Sequence, residues 1–162
     1  MPDWKKIPWS GGEVDELHAR PGEPLIDALV PLWLRTFEWL AAVESRHPWD
    51  TVTACIRPDS GRIRLVASRG EDDILGGPPD LVSPDLEERW YGLPDPQEDD
   101  DDADVGAFDA AAAAMMADVV SDLRRSLRDE RVAAALEELR RRCPLRMLAM
   151  EFDDAETTLE LL

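Results

Sequence analysis

The segment from Thr51 to Ser68 constrains this chain more than any other. Thr51 to Arg57 alternates side chains between two faces, Pro58-Asp59-Ser60-Gly61 interrupts, and Arg62 to Ser68 alternates again. Proline presets φ, aspartate and serine bond to their own backbone, and glycine accepts positive φ, so these four residues make a turn by mechanism. Pairing Arg57 with Arg62 sets Ile56 opposite Ile63, Ala54 opposite Leu65 and Val52 opposite Ala67. All six then share one face, and a slip of one residue would destroy the match. The spacing predicts an antiparallel hairpin, apolar on one side, that the rest of the chain must cover.

The C-terminus carries a second pattern of this kind. Met147 to Phe152 alternates, Asp153-Asp154-Ala155-Glu156 turns, and Thr157 to Leu161 alternates back. Pairing Phe152 with Thr157 predicts Met150 opposite Leu159 and Leu148 opposite Leu161, with Glu151, Thr158 and Glu160 on the polar side. Val52, Ala54, Ile56, Ile63, Leu65, Leu148, Met150, Phe152, Leu159 and Leu161 are therefore expected on one buried sheet face.

Helical signals fill the remainder. A first helix is expected from Pro24 to before Pro48, with Ile26, Val30, Trp33, Phe37, Leu40 and Val43 on its apolar face. Pro31 either kinks this helix or opens its main part, and the sequence leaves both readings open. Ser83 as cap and Pro84 as first residue open a short helix that runs through Tyr91 to Gly92. Phe108, Ala112, Met115, Val119, Leu123 and Leu127 define a long helix over 107–127. A third follows over 129–142, with acidic residues at its start and arginines at its end, as the macrodipole favours. Residues 70–80 and 94–106 read as loops, and 1–23 as an arm whose Trp4, Ile7 and Trp9 are expected to pin it to the domain.

The order of helix, hairpin, helices, hairpin predicts a single α+β domain over 24–162. The expected fold is a two-layer sandwich, a four-stranded antiparallel sheet from two hairpins with helices on its apolar face. A length of 162 residues suits one domain. No signal-peptide core and no long apolar run is present, so a cytoplasmic protein with no membrane association is expected. Cys55 and Cys143 belong to no CxxC motif and read as buried thiols.

The net charge of −18 is unevenly spread. From Glu71 to Asp118 there are sixteen acidic residues against Arg89 alone, a local net of −15, whereas Arg124 to Arg146 holds eight arginines. Nucleic acid demands a basic surface that displaces counterions, so this field argues against it as a partner. It favours a basic protein instead.

Catalytic patterns are not found. His18 lies in the arm and His47 precedes Pro48 at a helix end, which excludes an HExxH site and suits surface or capping roles. There is no GxSxG and no phosphate-binding glycine loop. Asp100, Asp102 and Asp104 suit the first three ligand positions of an EF-hand, but Val105 stands where glycine is needed and Ala111 where glutamate is needed. No enzyme activity, cofactor or metal is expected.

Six tryptophans remain: Trp33 and Trp49 read as core, and Trp39 falls off the main face of the first helix. Trp90 and Tyr91 end the short helix beside the run Glu98–Asp102, and aromatic groups with a polar handle next to charge suit a binding rim. The candidate partner-binding residues are Trp90, Tyr91, Asp99, Asp100, Asp101 and Asp102.

The element order over 24–162, the tryptophan-bearing short helix Ser83–Gly92 and the negative charge together resemble small α+β immunity proteins of bacterial toxin systems. That resemblance implies an acidic, non-catalytic protein that binds a basic partner such as a toxin nuclease. A housekeeping or scaffold role, or a small-molecule binder or enzyme with carboxylates in a tryptophan-lined pocket, is the alternative, and a concave site would mark the last.

Overall fold

A computed structural model describes residues 16–42, 49–69, 72–74, 80–93, 102–151 and 157–162. In chain order the elements are β1 (Glu16–His18), α1 (Leu25–Ala42), β2 (Thr51–Arg57), β3 (Arg62–Arg69), β4 (Asp72–Ile74) and β5 (Asp80–Val82). They continue with α2 (Pro84–Tyr91), α3 (Asp102–Leu127), α4 (Glu130–Arg140), β6 (Arg146–Glu151) and β7 (Leu159–Glu160).

The hairpin of β2 and β3 has the expected register, with Ile56 on Ile63, Ala54 on Leu65 and Val52 on Ala67. A single 3-10 turn at Pro58–Ser60 closes it, and Gly61 follows at φ 63°. That conformation is open to glycine at little cost and strained for other residues.

The sheet around this hairpin is not the expected four-stranded antiparallel one. Six strands lie side by side in the order β1-β5-β3-β2-β6-β7, and β4 also pairs with β3. The sheet is mixed: β1 runs parallel to β5 and β2 parallel to β6, while the other pairs are antiparallel. Parallel neighbours require a crossover, and the chain between β2 and β6 supplies one containing α2, α3 and α4. The edges are short, three residues at β1 and two at β7, which limits unpaired backbone.

The register of β6 on β2 also reverses the expected face of the C-terminal strand. Val52 aligns with Met147 and Ala54 with Ala149, so these two residues join the buried side while Leu148 and Met150 turn to the other. β7 pairs Leu148 with Glu160 and Ala149 with Leu159, one residue away from the expected register. Of the ten residues expected on one face, Val52, Ala54, Ile56, Ile63, Leu65 and Leu161 are buried in the main core. Leu148 and Met150 are half-buried on the opposite face, Leu159 is 38% exposed, and Phe152 and the turn after it lie outside the described residues. The physical reason is that β6 takes its register from the hydrophobic row of β2.

β1 falls inside the expected arm and β4 inside the expected 70–80 loop, while β5 starts at the last residue of that loop and runs on where no element was expected. Three-residue strands carry no readable alternation. They form because the outer edge of β3 has backbone groups to satisfy, with β5 pairing Arg62–Arg64 and β4 pairing Ala67–Arg69.

The helices cover the Val52–Ala54–Ile56 face. α1 is continuous through Pro31, which settles the choice left open by the sequence. Pro31, which has no N–H to offer the Asp27 carbonyl, lies with Asp27 on the exposed side, where the cost of the missing bond is lowest. Leu29, Leu32 and Trp33 are fully buried. Trp33 Nε1 donates to Ser126 Oγ at 2.8 Å, and Ser126 Oγ donates to the Leu123 carbonyl at 2.7 Å. This chain ties α1 to α3. α3 starts at Asp102 rather than Ala107, so part of the expected 94–106 loop is helix. Asp129 caps α4 by accepting from Arg131 N at 3.0 Å and Val132 N at 3.4 Å.

Candidate functional site

The candidate surface is built on α2, which three contacts position. Ser83 Oγ accepts from Leu86 N at 3.2 Å, the expected cap, and Ser83 N donates to the Gly61 carbonyl at 2.7 Å. Gly22 N donates to Asp85 Oδ2 at 2.7 Å, holding the start of α2 to the chain leaving β1. Leu86 is buried and anchors the helix to the core.

At the other end of α2, Trp90 is half-buried and meets Phe108 of α3 edge to face, with centroids 5.6 Å apart and planes at 78°. This is a favourable aromatic geometry. Arg89 reaches Asp118 at 3.1 Å, a second link between α2 and α3, though both groups are exposed and the pair stabilises little. Tyr91 projects beyond this platform, 71% exposed. Glu87 and Glu88 of α2 and Asp109 and Asp118 of α3 are also exposed.

Of the six candidate residues, Trp90 and Tyr91 thus stand together at one helix end, one clamped and one projecting. Asp102 opens α3. Asp99, Asp100 and Asp101 lie outside the described residues. The sequence did not reveal Phe108 as the support of Trp90, because its helical spacing reads equally well as core. Trp39 is no part of a rim: it is buried and packs on Trp49 at 5.7 Å.

A second polar group sits on the sheet face opposite the helices. Arg64 grips Asp80 with two bonds of 3.0 Å, and Arg62 reaches Glu16 at 2.7 Å and Asp80 at 3.4 Å. Asp80 is almost fully buried. The hydrogen bond to Glu16 raises the Arg62 pKa further, against the opposing effect of burial. Two guanidiniums match two carboxylates, which joins β1, β5 and β3 rather than presenting charge to a ligand. The alternation of Arg62 and Arg64 on the polar side was readable; their partners were not, since 80–82 carries no strand signal.

Four of the eight arginines between Arg124 and Arg146 pair with carboxylates in place. Arg125 pairs with Asp122, Arg131 with Asp129, Arg141 with Glu138 and Arg146 with Glu160. No family model, curated protein or solved structure matches this chain. Cys143 is buried and donates to the Leu139 carbonyl at 3.5 Å. Burial pushes its thiol pKa up, which is the opposite of an activated nucleophile. Among the described residues no three His, Cys, Asp or Glu side chains converge as a metal-binding group, and no helix is long and apolar enough to cross a membrane. A hollow of about 100 Å³ between α3, β6 and β7 is lined mainly by Ile56, Met116, Val120 and Leu159, with Glu151 as its one carboxylate and no tryptophan. It lacks the composition of a tryptophan-lined carboxylate pocket.

Asp122, partly buried on α3, has its pKa raised, first by burial and then by Asp118, against the lowering influence of Arg125 and Arg89. A carboxyl that holds its proton more tightly when folded loses stability as pH rises through the window between its unfolded and folded pKa. Asp122→Asn is expected to stabilise the protein at pH 7, with the gain vanishing below the carboxylate range. Urea melts at neutral and acid pH check both; destabilisation at pH 7 would show that the Arg125 contact outweighs burial.

Proposed function

We propose that this is a non-catalytic binding protein whose acidic α2–α3 surface engages a basic protein partner, in the manner of a toxin-immunity protein. The observation that carries the reading is Tyr91, 71% exposed beside the supported Trp90, with Glu87 and Glu88 exposed one turn back on the same helix. A large exposed aromatic on a rigid platform is the usual anchor of an interface, since it desolvates much area for little lost side-chain entropy. The excess acidic charge nearby raises the encounter rate with a basic surface and suppresses acidic competitors.

The two contributions are separable by experiment. Neutralising Asp99, Asp100, Asp101 and Asp102 to Asn is expected to slow association and flatten its salt dependence, with folding unchanged. Tyr91→Ala is expected to act on dissociation, speeding it by about 5–30-fold, the equivalent of about 1–2 kcal/mol. Trp90→Ala combines lost contact with lost support from Phe108 and should also lower stability. The measurement is retention of host proteins on the immobilised chain at low and high salt, followed by association kinetics with the retained basic protein. If retention ignores the four Asp→Asn changes, or only acidic proteins are retained, the reading is wrong.

A further inference from the structure

Helical spacing decides what α2 presents to solvent. Leu86 and Trp90, one turn apart, face inward, with Leu86 buried and Trp90 against Phe108. At about 100° per residue the outward side carries Pro84, Glu87, Glu88 and Tyr91, and all four are exposed. Glu87 and Glu88 stand four and three positions before Tyr91, one on either side of the line that runs down the helix from its ring. Cα–Cβ bonds in a helix tilt toward its N-terminus, so Tyr91 leaves the backbone in the direction of that turn.

The charges on this side are not matched inside the molecule. Arg89 is the one basic residue of α2, and it reaches Asp118 of α3. Among the described residues no ion pair engages Glu87 or Glu88. The helix beneath them is held at both ends, by the Ser83 cap and by Phe108, so little order remains to be gained on binding.

We infer that Glu87, Glu88 and Tyr91 form a seat for an arginine side chain of the partner, and that the seat selects arginine over lysine. This rests on the partner-binding reading and names the group that α2 recognises. A guanidinium is flat and weakly hydrated, so its face stacks on a phenol ring while N–H groups at its edge reach carboxylates on either side. An ammonium is a compact, strongly hydrated point charge, and contact with the ring draws it away from the carboxylates. A purely apolar anchor would desolvate two carboxylates with nothing to offset the cost.

Tyr91 is the sole tyrosine of the chain and serves as its own reporter. Hexa-arginine and hexa-lysine, equal in charge, are the probes, titrated into the full chain at one ionic strength. Hexa-arginine is expected to bind more tightly, with the NMR signals of the isotope-labelled Tyr91 ring shifting at the same midpoint. Tyr91→Leu keeps apolar bulk but removes the ring. It should lose about 2–5-fold in hexa-arginine affinity, the equivalent of one exposed cation–π contact, and change hexa-lysine affinity less. Tyr91→Phe should retain the preference, and Glu87→Gln/Glu88→Gln should narrow it. Because all three positions are exposed, urea melts of these variants should coincide with that of the unaltered chain; where one does not, the ring signals of the unaltered chain decide. Ring signals unmoved at saturating hexa-arginine, or a Tyr91→Leu loss equal for both peptides, would overturn the arginine seat and leave the acidic-surface reading standing. Failure of both peptides to bind would overturn that reading, and the seat with it.

Discussion

Trp33→Ala is expected to lower the unfolding free energy by about 3–5 kcal/mol, the range for removing a buried tryptophan from a packed core. Trp33 is fully buried, lies nearly parallel to Phe37 at 5.9 Å, and bonds to Ser126 across the α1–α3 contact. Truncation leaves a cavity the size of an indole between α1 and α3, and it removes a donor from a buried hydroxyl. Trp33→Phe shifts the balance between these terms. It keeps a six-membered ring but loses the Nε1–H and two further ring carbons, while Ser126 still donates to the Leu123 carbonyl, so a smaller loss than for the alanine variant is expected. Urea denaturation with an unchanged m-value is the measurement. A loss under about 1 kcal/mol for Trp33→Ala would mean that α1 and α3 do not pack as described. Because α3 carries Phe108 and Asp118, the alanine variant should also weaken the support of Trp90.

Gly61→Ala is expected to destabilise by about 2–4 kcal/mol, combining left-handed backbone strain with a steric clash. At φ 63° any Cβ is strained, and here it would stand 2.3 Å from the Ser83 carbonyl oxygen and 3.3 Å from Glu87 N. Both are backbone atoms at the start of α2, so α2 must move for the side chain to fit. Gly22→Ala is the control. Its φ is 79° but nothing lies within 4 Å of the added carbon, so only the conformational cost of about 1–2 kcal/mol applies. Equal losses for the two variants would show that the approach of α2 to Gly61 has no energetic weight. A further consequence reaches the candidate surface: since the Gly61 carbonyl also accepts from Ser83 N, displacing α2 moves Trp90 and Tyr91, and partner binding should fall with stability.

The candidate site was legible in part. Trp90 and Tyr91 could be placed at the end of a short capped helix, because Ser83-Pro84 and Gly92 are local signals that act within a turn of their own position. Their support could not, since Phe108 lies eighteen residues along and meets Trp90 only after α3 has packed beside α2. The buried Asp80 between two arginines was hidden for the same reason: its partners are set by strand order.

The sequence by itself determined the elements whose causes are local. The β2–β3 register follows from a four-residue turn and a matched apolar row, and the starts of α2 and α4 follow from their capping residues. Tertiary structure alone decided which strands became neighbours. Both faces of β2 are buried, and its alternating pattern cannot say whether β6 arrives parallel or antiparallel. Once β6 lay parallel to β2 with Met147 level with Val52, Met147 and Ala149 shared the side of Val52 and Ala54, which turned Leu148 and Met150 to the opposite face. A strand's own alternation divides its side chains into two sets; which set faces the helices depends on the neighbour it joins.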